Sequence, residues 1–372
     1  MKFHRWAGVV FVCLTSLCAV AAFAQTLRQA AHSAGVLVGT CVRPSLFSEP
    51  AYAETLAREY DMIEAEDAMK WRALRPNQAS FDFHSGDEIV AFAKAHGMKV
   101  RGHNLLWSQY NPLWLTQGQF TPAQLFDLLH EHITTVMKHY TGDVFAWDVV
   151  NEALNEKGEA RDSIWYNRPG IGLAGKGTAY VEQAFRWARE ADPQALLFYN
   201  EAGGEGMNRK SDAVYEMVKS LKKKGVPIDG VGLQLHIGRL DYDVSTVASN
   251  IKRLTKLGLQ VHITELDVSL PVDAQGNLID QADLERQAQI YRGIVRACLQ
   301  NAGCTAIQTW GLTDKYSWIG SFTQHTRGWA LPFDRAYQPK PAYAALLSEL
   351  DGGRSGKGER MPKNNAAGTA TR

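Results

Sequence analysis

VFAWDVV, at residues 144–150, is the clearest strand in the chain, and Asn151 and Glu152 follow it directly. Its β-branched and aromatic residues make a nearly continuous apolar run, which is typical of a parallel strand buried on both faces. The segments between such runs have the amphipathic pattern of helices. Eight strands alternating with helices predict an α/β protein with a single (β/α)8 TIM barrel. The other seven runs lie at residues 36–41, 61–66, 98–102, 196–200, 230–235, 260–266 and 306–310.

The alternative architecture is a doubly wound open sheet. Such a sheet usually carries a glycine-rich phosphate loop after its first strand, and Gly39-Thr40-Cys41 is not one. One helix start is also suggested, because Ser85-Gly86-Asp87-Glu88 has the pattern of a capping box. That helix is expected to end near His96, before Gly97.

The charge balance argues against two classes of partner. The chain has 40 Lys and Arg against 39 Asp and Glu, so its formal net charge is +1. This balance disfavours a nucleic acid or an anionic membrane as partner and suits a neutral polymer. The 10 Trp residues fit a core, and they also suit stacking on sugar rings.

The two ends of the chain differ in composition from the rest. Lys2, His4 and Arg5 precede an apolar run and the small-residue pattern Ala22-Phe23-Ala24, which predicts a signal peptide at residues 1–24 and a secreted or periplasmic protein. A membrane anchor is the alternative, although the run lacks a basic stop-transfer flank. A catalytic domain is expected at 25–350, and the Gly-, Lys- and Arg-rich residues 351–372 predict a flexible tail. No membrane association is expected after removal of the signal.

Cysteine usage is consistent with export. Cys298 and Cys304 are separated by a short segment containing Gly303, and we predict a disulfide between them. Two free thiols are the alternative. Cys41 is then left over, as a small buried side chain.

Polar residues follow several predicted strands, where the active site of such a barrel lies. Glu152 ends the fourth strand and Glu265 ends the seventh, so the two carboxylates are expected to face each other across the barrel mouth. Two carboxylates perform glycoside hydrolysis, and a separation of about 5–5.5 Å corresponds to the retaining mechanism. We therefore predict Glu152 as acid/base and Glu265 as nucleophile.

Neighbouring residues support these roles. His236 ends the sixth strand and Asp267 lies two positions after Glu265, so an Asp–His–Glu relay would hold the nucleophile oriented and ionised. Asn151 is expected to donate to the sugar 2-hydroxyl. The alternatives are a structural role for His236 and a helix cap for Asp267.

Motifs in this order resemble glycoside hydrolase family ten, the xylanase family, from about Gly35 to Tyr343. They are GVLVGT at 35–40, MKW at 69–71, RGHNLLW at 101–107, HYTGDVFAWDVVNEAL at 139–154, GLQLHI at 232–237, HITELDV at 262–268 and WGLTDKYSW at 310–318. The resemblance implies the barrel, endo-hydrolysis of β-1,4-xylan and xylo-oligosaccharides with retention, and the same two carboxylates. It implies that the sugar-binding residues are Glu66, Lys70, His103, Trp107, Gln234, Trp310 and Trp318. The Cys298–Cys304 pair also matches a bridge found in some members.

Three positions depart from the pattern of that family. Asp67 stands where the family usually has Asn, so the side chain adds charge and cannot donate when it is ionised. Ala202 replaces an aromatic residue near the leaving-group side, and Ser108 replaces a His. Because none of these removes a carboxylate, we expect activity with altered affinity for the bound sugars.

The sequence disfavours three competing functions. A cellulase on the same barrel is disfavoured if Trp310 and Trp318 close over the sugars, since they would clash with the hydroxymethyl group of glucose. A sugar-binding protein without activity is disfavoured by the two carboxylates. A metal enzyme is disfavoured because His130 and His132 have the wrong spacing for one helix face, and both are expected to be solvated. No cofactor or metal and a monomeric state are expected.

Overall fold

The computed structural model describes residues 25–352, and its centre is a closed barrel of eight parallel strands. The prediction of a (β/α)8 barrel is therefore confirmed, and each strand lies where an apolar run was found. The strands are β1 (Leu37–Val42), β2 (Met62–Ala65), β3 (Lys99–Trp107), β4 (Val144–Asn151), β5 (Leu196–Glu201), β6 (Gly230–Leu233), β7 (Gln260–Val268) and β8 (Cys304–Thr309).

Hydrogen bonding between the first and last strands closes the barrel. Leu37 of β1 pairs with Ala306 of β8, and Gly39 of the same strand pairs with Met62 of β2. Every other neighbouring pair is also parallel, including β6 with β7 and β7 with β8. All eight carboxyl ends therefore open at one face. Two-residue strands lie outside the barrel wall at His236–Ile237, Leu270–Pro271 and Arg327–Gly328.

Helices follow the strands and cover the barrel. The longer ones bury an apolar stripe, such as Leu125, Leu129, Ile133 and Val136 in one of them. The helices are α1 (Leu27–Ala34), α2 (Pro50–Glu59), α3 (Trp71–Leu74), α4 (His84–Ala95), α5 (Leu113–Thr116), α6 (Pro122–His139), α7 (Ala179–Ala191), α8 (Arg209–Lys223), α9 (Val244–Lys256), α10 (Asp283–Leu299), α11 (Ile319–Phe322) and α12 (Pro341–Gly352), and a short 3-10 helix spans Pro44–Leu46.

A charged cluster occupies the interior of the barrel. The side chain of Arg101 of β3 is fully buried between the carboxylates of Glu64 and Asp148. Its Nη1 lies 2.8 Å from Glu64 Oε2. These charges come from β2, β3 and β4, so burial is compensated by pairing between adjacent strands.

Two smaller expectations were wrong. Helix α4 begins at His84 without a side-chain cap, so the capping box at Ser85 does not form; Asp82 Oδ1 instead accepts from the His84 amide at 3.0 Å. His130 is exposed as expected, but His132 is fully buried and stacks on Trp71 with ring centroids 3.6 Å apart. Its burial, with the nearby Arg75 charge, lowers the pKa of His132 well below the usual value.

The cysteines behave as predicted. Cys298 at the end of α10 and Cys304 at the start of β8 form a disulfide, and Cys41 is a buried free thiol. The predicted signal peptide at 1–24 and most of the predicted tail lie outside the described residues, while Asp351 and Gly352 belong to α12. Among residues 25–352, no helix has the length and apolarity needed to cross a membrane.

Candidate active site

Glu152 lies immediately after β4 at the carboxyl-end face of the barrel. Its carboxyl oxygens accept from Gln234 Nε2 at 3.1 Å and from Trp107 Nε1 at 3.2 Å. The residue has φ of 54°, in the left-handed region that non-glycine residues rarely adopt. The backbone therefore turns sharply at Glu152, and the side chain meets groups from β3 and from the end of β6.

Glu265, near the end of β7, is buried at the same face. One carboxyl oxygen accepts from Asn200 Nδ2 at 2.7 Å, and the other lies 3.1 Å from His236 Nε2. Burial alone would raise the pKa of Glu265, but the hydrogen bond from His236 and the charges of His103 and His236 lower it below the ordinary value. Glu265 is thus held ionised.

His236 joins Glu265 to Asp267. Its Nδ1 lies 2.8 Å from Asp267 Oδ2 and its other nitrogen faces Glu265. Burial would lower the pKa of His236, but the two carboxylates raise it well above the usual value, so both ring nitrogens act as donors. Trp318 Nε1 donates to the same Asp267 oxygen at 2.9 Å, which fixes the tryptophan at the barrel mouth.

Neutral amide side chains connect the two candidate carboxylates. Gln234 Nε2, which binds Glu152, also donates to Asn151 Oδ1 at 3.2 Å. Asn200 Nδ2, which binds Glu265, donates to the same Asn151 oxygen at 3.0 Å. The hydrogen-bonded chain Glu152–Gln234–Asn151–Asn200–Glu265 therefore places both acids in one continuous site.

Lys70 lies among aromatic rings beside this chain. The buried ammonium group is 5.2 Å from the centroid of Trp107, 5.8 Å from that of Trp310 and 4.3 Å from that of Tyr110. Asp67 Oδ1 accepts from it at 2.9 Å. The cation is held by ring faces and one carboxylate, so the Asp at position 67 has a direct role in orienting Lys70.

His103 connects the mouth to the charged interior. Its Nδ1 lies 2.9 Å from Asp148 Oδ2, and its ring meets the edge of Trp310 at 5.4 Å between centroids. Burial would lower the pKa of His103, while the hydrogen bond to Asp148 and the charges of Glu64, Glu265 and Asp148 raise it overall. His103 therefore supplies positive charge near Glu265.

Glu66 has a different setting from the other predicted residues. Both of its carboxyl oxygens accept from the Arg43 guanidinium, at 2.7 Å from Nε and 2.5 Å from Nη2. Arg43 follows β1 and Glu66 follows β2, so the pair lies at the edge of the mouth. A sugar hydroxyl reaching Glu66 would meet a carboxylate that is already paired.

Comparison with known proteins identifies the family. A model of Glycosyl hydrolase family 10 matches residues 26–349. The chain belongs to glycosyl hydrolase family 10. Endo-1,4-beta-xylanase B of Thermotoga neapolitana is 39% identical over 328 residues, which cover 87% of this chain and 91% of that protein. Both the family resemblance and the enzyme class predicted from the motifs are thus confirmed.

Two further members of the family are informative. Xylanase 10B from Thermotoga petrophila RKU-1, solved in complex with xylobiose, is 38% identical with a TM-score of 0.83 and covers 88% of this chain and 98% of that one. A protein named exoglucanase XynX, from Acetivibrio thermocellus, is 35% identical over 323 residues, covering 83% of this chain and 28% of that protein.

Sequence reasoning missed several contacts of this family 10 site. Asn200 was not predicted as a partner of Glu265, although its position at the end of the apolar strand 196–200 was an available signal. Tyr110 stacks on Trp107 with 5.2 Å between centroids and 7° between planes, and nothing in its local sequence indicates this. Arg43 was missed because its partner comes from the next strand.

One group of metal-ligand side chains occurs in the barrel. Atoms of Glu64, His103 and Asp148 lie within 4.8 Å of one another. The Arg101 guanidinium contacts two of these three residues. The positive charge that the carboxylates need is therefore supplied by the chain itself, and we assign no metal to this group.

Proposed function

We propose that this chain hydrolyses internal β-1,4-xylosidic bonds of xylan and xylo-oligosaccharides with retention of anomeric configuration. The observation that carries the proposal is the contrast between the two acids. Glu265 is buried and held ionised by His236, while Glu152 is bound only by neutral donors, Gln234 and Trp107. Such a difference in environment is what an acid and a nucleophile require.

The first step forms a glycosyl-enzyme intermediate. Glu152 gives its proton to the glycosidic oxygen, and that carbon–oxygen bond breaks. A carboxyl oxygen of Glu265 forms a bond to the anomeric carbon. The leaving sugar chain departs as an alcohol, and Glu152 is left ionised.

The second step returns both acids to their starting states. The Glu152 carboxylate removes a proton from water, and the water oxygen attacks the anomeric carbon. The bond to Glu265 breaks and its carboxylate is restored. Two inversions give net retention.

The remaining predicted residues are proposed to bind the sugars. Trp310 and Trp318 supply ring faces for xylose, and the Trp318 indole is anchored on Asp267. Asn151 lies between the acids and is proposed to contact the 2-hydroxyl. The other proposed binding residues are Glu66, Asp67, Lys70, His103, Trp107 and Gln234.

Product analysis on xylohexaose tests substrate, endo action and stereochemistry together. Internal cleavage is expected, with the β-anomer appearing first in NMR spectra. Glu265→Ala is expected to reduce the rate at least about a thousandfold, whereas Glu216→Ala, an exposed carboxylate on α8, leaves the rate unchanged. Initial α-anomer would contradict retention, and an active Glu265→Ala variant would contradict the nucleophile assignment.

A glucanase is the second candidate, because one relative is named an exoglucanase. Glucose carries a hydroxymethyl group that xylose lacks, and Trp310 and Trp318 are proposed to lie against that carbon. We therefore expect the rate on xylan to exceed that on carboxymethylcellulose by far. Comparable rates would contradict the assignment to xylan.

We also propose that the chain is exported as a monomer after cleavage behind Ala24. Leu27 is fully buried, and its amide donates to Glu59 Oε2 at 3.0 Å, so ordered packing of the domain starts close to the proposed cleavage point. Mass spectrometry of protein recovered from the periplasm or the medium is expected to give Gln25 as the first residue. Light scattering is expected to give the mass of one chain.

A further inference from the structure

Tyr199 and Glu201 are buried beneath the turn that carries Glu152. Both belong to β5, on the strand face opposite to that of Asn200, whose side chain contacts Glu265. Their exposed fractions are 0% and 1%. Neither residue has a part in the double displacement, so the burial of an acid and a hydroxyl at this place calls for a physical reason.

These two side chains accept hydrogen bonds from the two backbone amides that follow Glu152. The Ala153 amide donates to the Tyr199 hydroxyl oxygen at 3.2 Å, and the Leu154 amide donates to Glu201 Oε2 at 3.3 Å. The Tyr199 hydroxyl donates in turn to the same Glu201 oxygen. Two consecutive amides of the turn are thus fixed by one hydrogen-bonded pair.

The carbonyl groups of this turn are fixed from the other side. Arg161 Nε donates to the Glu152 carbonyl at 3.1 Å, and its Nη2 donates to the Leu154 carbonyl at 3.0 Å. Because Glu152 has a φ of 54°, the backbone of the turn is strained. Such a conformation is stable only where surrounding contacts hold it in place. The hydrogen-bond acceptors from β5 and the donors from Arg161 hold the backbone of this turn in its strained conformation.

The charge of Glu201 is also compensated locally. Lys210, buried in the first turn of α8, places its ammonium 3.2 Å from Glu201 Oε1 and 2.9 Å from the exposed Glu156. Burial raises the pKa of Glu201 to about 7 against the effects of Lys210 and Tyr199. Burying a carboxylate is costly. Here Glu201 is buried at a position where it accepts a hydrogen bond from the Leu154 amide.

We propose that Tyr199 and Glu201 are positioning residues that orient the Glu152 carboxyl for proton transfer. This inference rests on the proposed function, since it assumes that Glu152 is the acid/base. If the turn loosens, Glu152 no longer meets the glycosidic oxygen at the distance and angle that proton transfer needs. Glu265 and the sugar-binding residues lie outside this turn and keep their geometry.

The test compares two leaving groups on one sugar. Dinitrophenolate is a good leaving group and departs without protonation. Departure of phenolate depends more on proton donation by Glu152. With phenyl β-xylobioside, kcat/KM of Tyr199→Phe is expected to fall by about tenfold or more. With the dinitrophenyl substrate, whose kcat/KM reports the same first step, it is expected to change by less than about twofold. Glu201→Ala is expected to show the same pattern with a larger loss.

Controls separate positioning from general damage. Tyr199→Phe keeps the ring that fills the core, so its thermal unfolding midpoint should stay close to that of the wild type and the result does not depend on Glu201→Ala folding. Glu156→Gln removes the other partner of Lys210 without touching the turn, and it is expected to leave both rates unchanged. Equal losses of kcat/KM on both substrates, or no loss on either, would overturn the inference. The proposed function would remain intact in that case, provided that the wild type is active. A wild type inactive on both would overturn the proposed function itself.

Discussion

At the scale of single residues, the ionisation of Glu265 depends on His236. Burial acts to raise the pKa of Glu265, but the hydrogen bond from His236, 3.1 Å away, and the charges of His103 and His236 bring the pKa below its ordinary value. A nucleophile with a lowered pKa stays ionised to lower pH. We therefore expect the acid limb of kcat/KM in the wild type to lie below the ordinary pKa of a glutamate.

Removing His236 is expected to move that limb. In His236→Asn the burial effect is still opposed by the charge of His103 but no longer by the hydrogen bond and charge of His236, so the pKa of Glu265 is expected to rise. The acid limb of kcat/KM is then expected to move to higher pH. The measurement is kcat/KM against pH on xylohexaose. His130→Asn, a histidine on the exposed surface of α6, is the matched control and should leave the profile in place. A limb that does not move, or moves to lower pH, would contradict the role of His236.

Site residues could be predicted from the sequence where their position depends on a single strand. They could not be predicted where it depends on contacts between separate segments. Glu152, Glu265, His236 and Asp267 could be proposed from the sequence because each lies at or just after the end of an apolar strand, and that position is visible in the sequence. Arg43 and Tyr110 were not found because their roles arise only where β1 meets β2 and where a loop folds back on Trp107. Such contacts join parts of the chain that carry no common pattern.

At the scale of elements, the disulfide fixes the connection between α10 and β8. It closes a very short loop, since Cys298 and Cys304 are six positions apart. In the chain-entropy treatment, a loop of this length lowers the entropy of the unfolded chain enough to stabilise the fold by about 2 kcal/mol. The bridge is at the base of the barrel, away from the carboxyl-end face.

The double variant Cys298→Ser/Cys304→Ser is expected to unfold at lower denaturant concentration, with about 2 kcal/mol less free energy of unfolding. Its kcat on xylan should match that of the wild type, because the site lies at the opposite end of the strands. Reducing the wild type with dithiothreitol should produce the same loss and should not change the variant further. An unchanged midpoint would show that the bridge contributes nothing to stability.

Element boundaries were less predictable than the elements. Strand β3 was expected to end at Gly102 because the polar residues His103 and Asn104 interrupt the apolar run, but the strand continues to Trp107 and buries both side chains. The helix after Phe83 begins before the expected cap, since Asp82 satisfies its first amide from outside the helix. His103 is tolerated inside the strand because Asp148 of β4 binds it, whereas the start of α4 is set by a local contact between Asp82 and His84.

At the scale of the whole molecule, the barrel is organised around buried charge. Arg101 joins the carboxylates of Glu64 and Asp148, and Gln308 of β8 donates to Glu64 from across the interior. The pattern of apolar runs predicted the barrel because every strand is buried on both faces. It did not predict this cluster, because Glu64, Arg101 and Asp148 meet only when β2, β3 and β4 pair, and Gln308 joins them only when the barrel closes.

Asp148→Asn is expected to lower the free energy of unfolding by about 3–5 kcal/mol, since it removes one of the two buried carboxylates that pair with Arg101 and the carboxylate that binds His103 Nδ1. Urea denaturation followed by fluorescence of the tryptophans measures the change. The control is Glu216→Gln, which breaks a pair with Lys219 that is exposed on both sides and should change stability by less than about 1 kcal/mol. Similar losses in the two variants would contradict a special role for the cluster.

The amide bridge between the two acids has a consequence for the fate of protons. Gln234, Asn151 and Asn200 donate and accept hydrogen bonds, but an amide neither gains nor loses a proton near neutral pH. Unlike two carboxyls that share one hydrogen, these acids therefore have no route for passing a proton to each other along the bridge. In the proposed mechanism, the proton that Glu152 gives to each departing sugar is then replaced by one from the incoming water and not by one from Glu265.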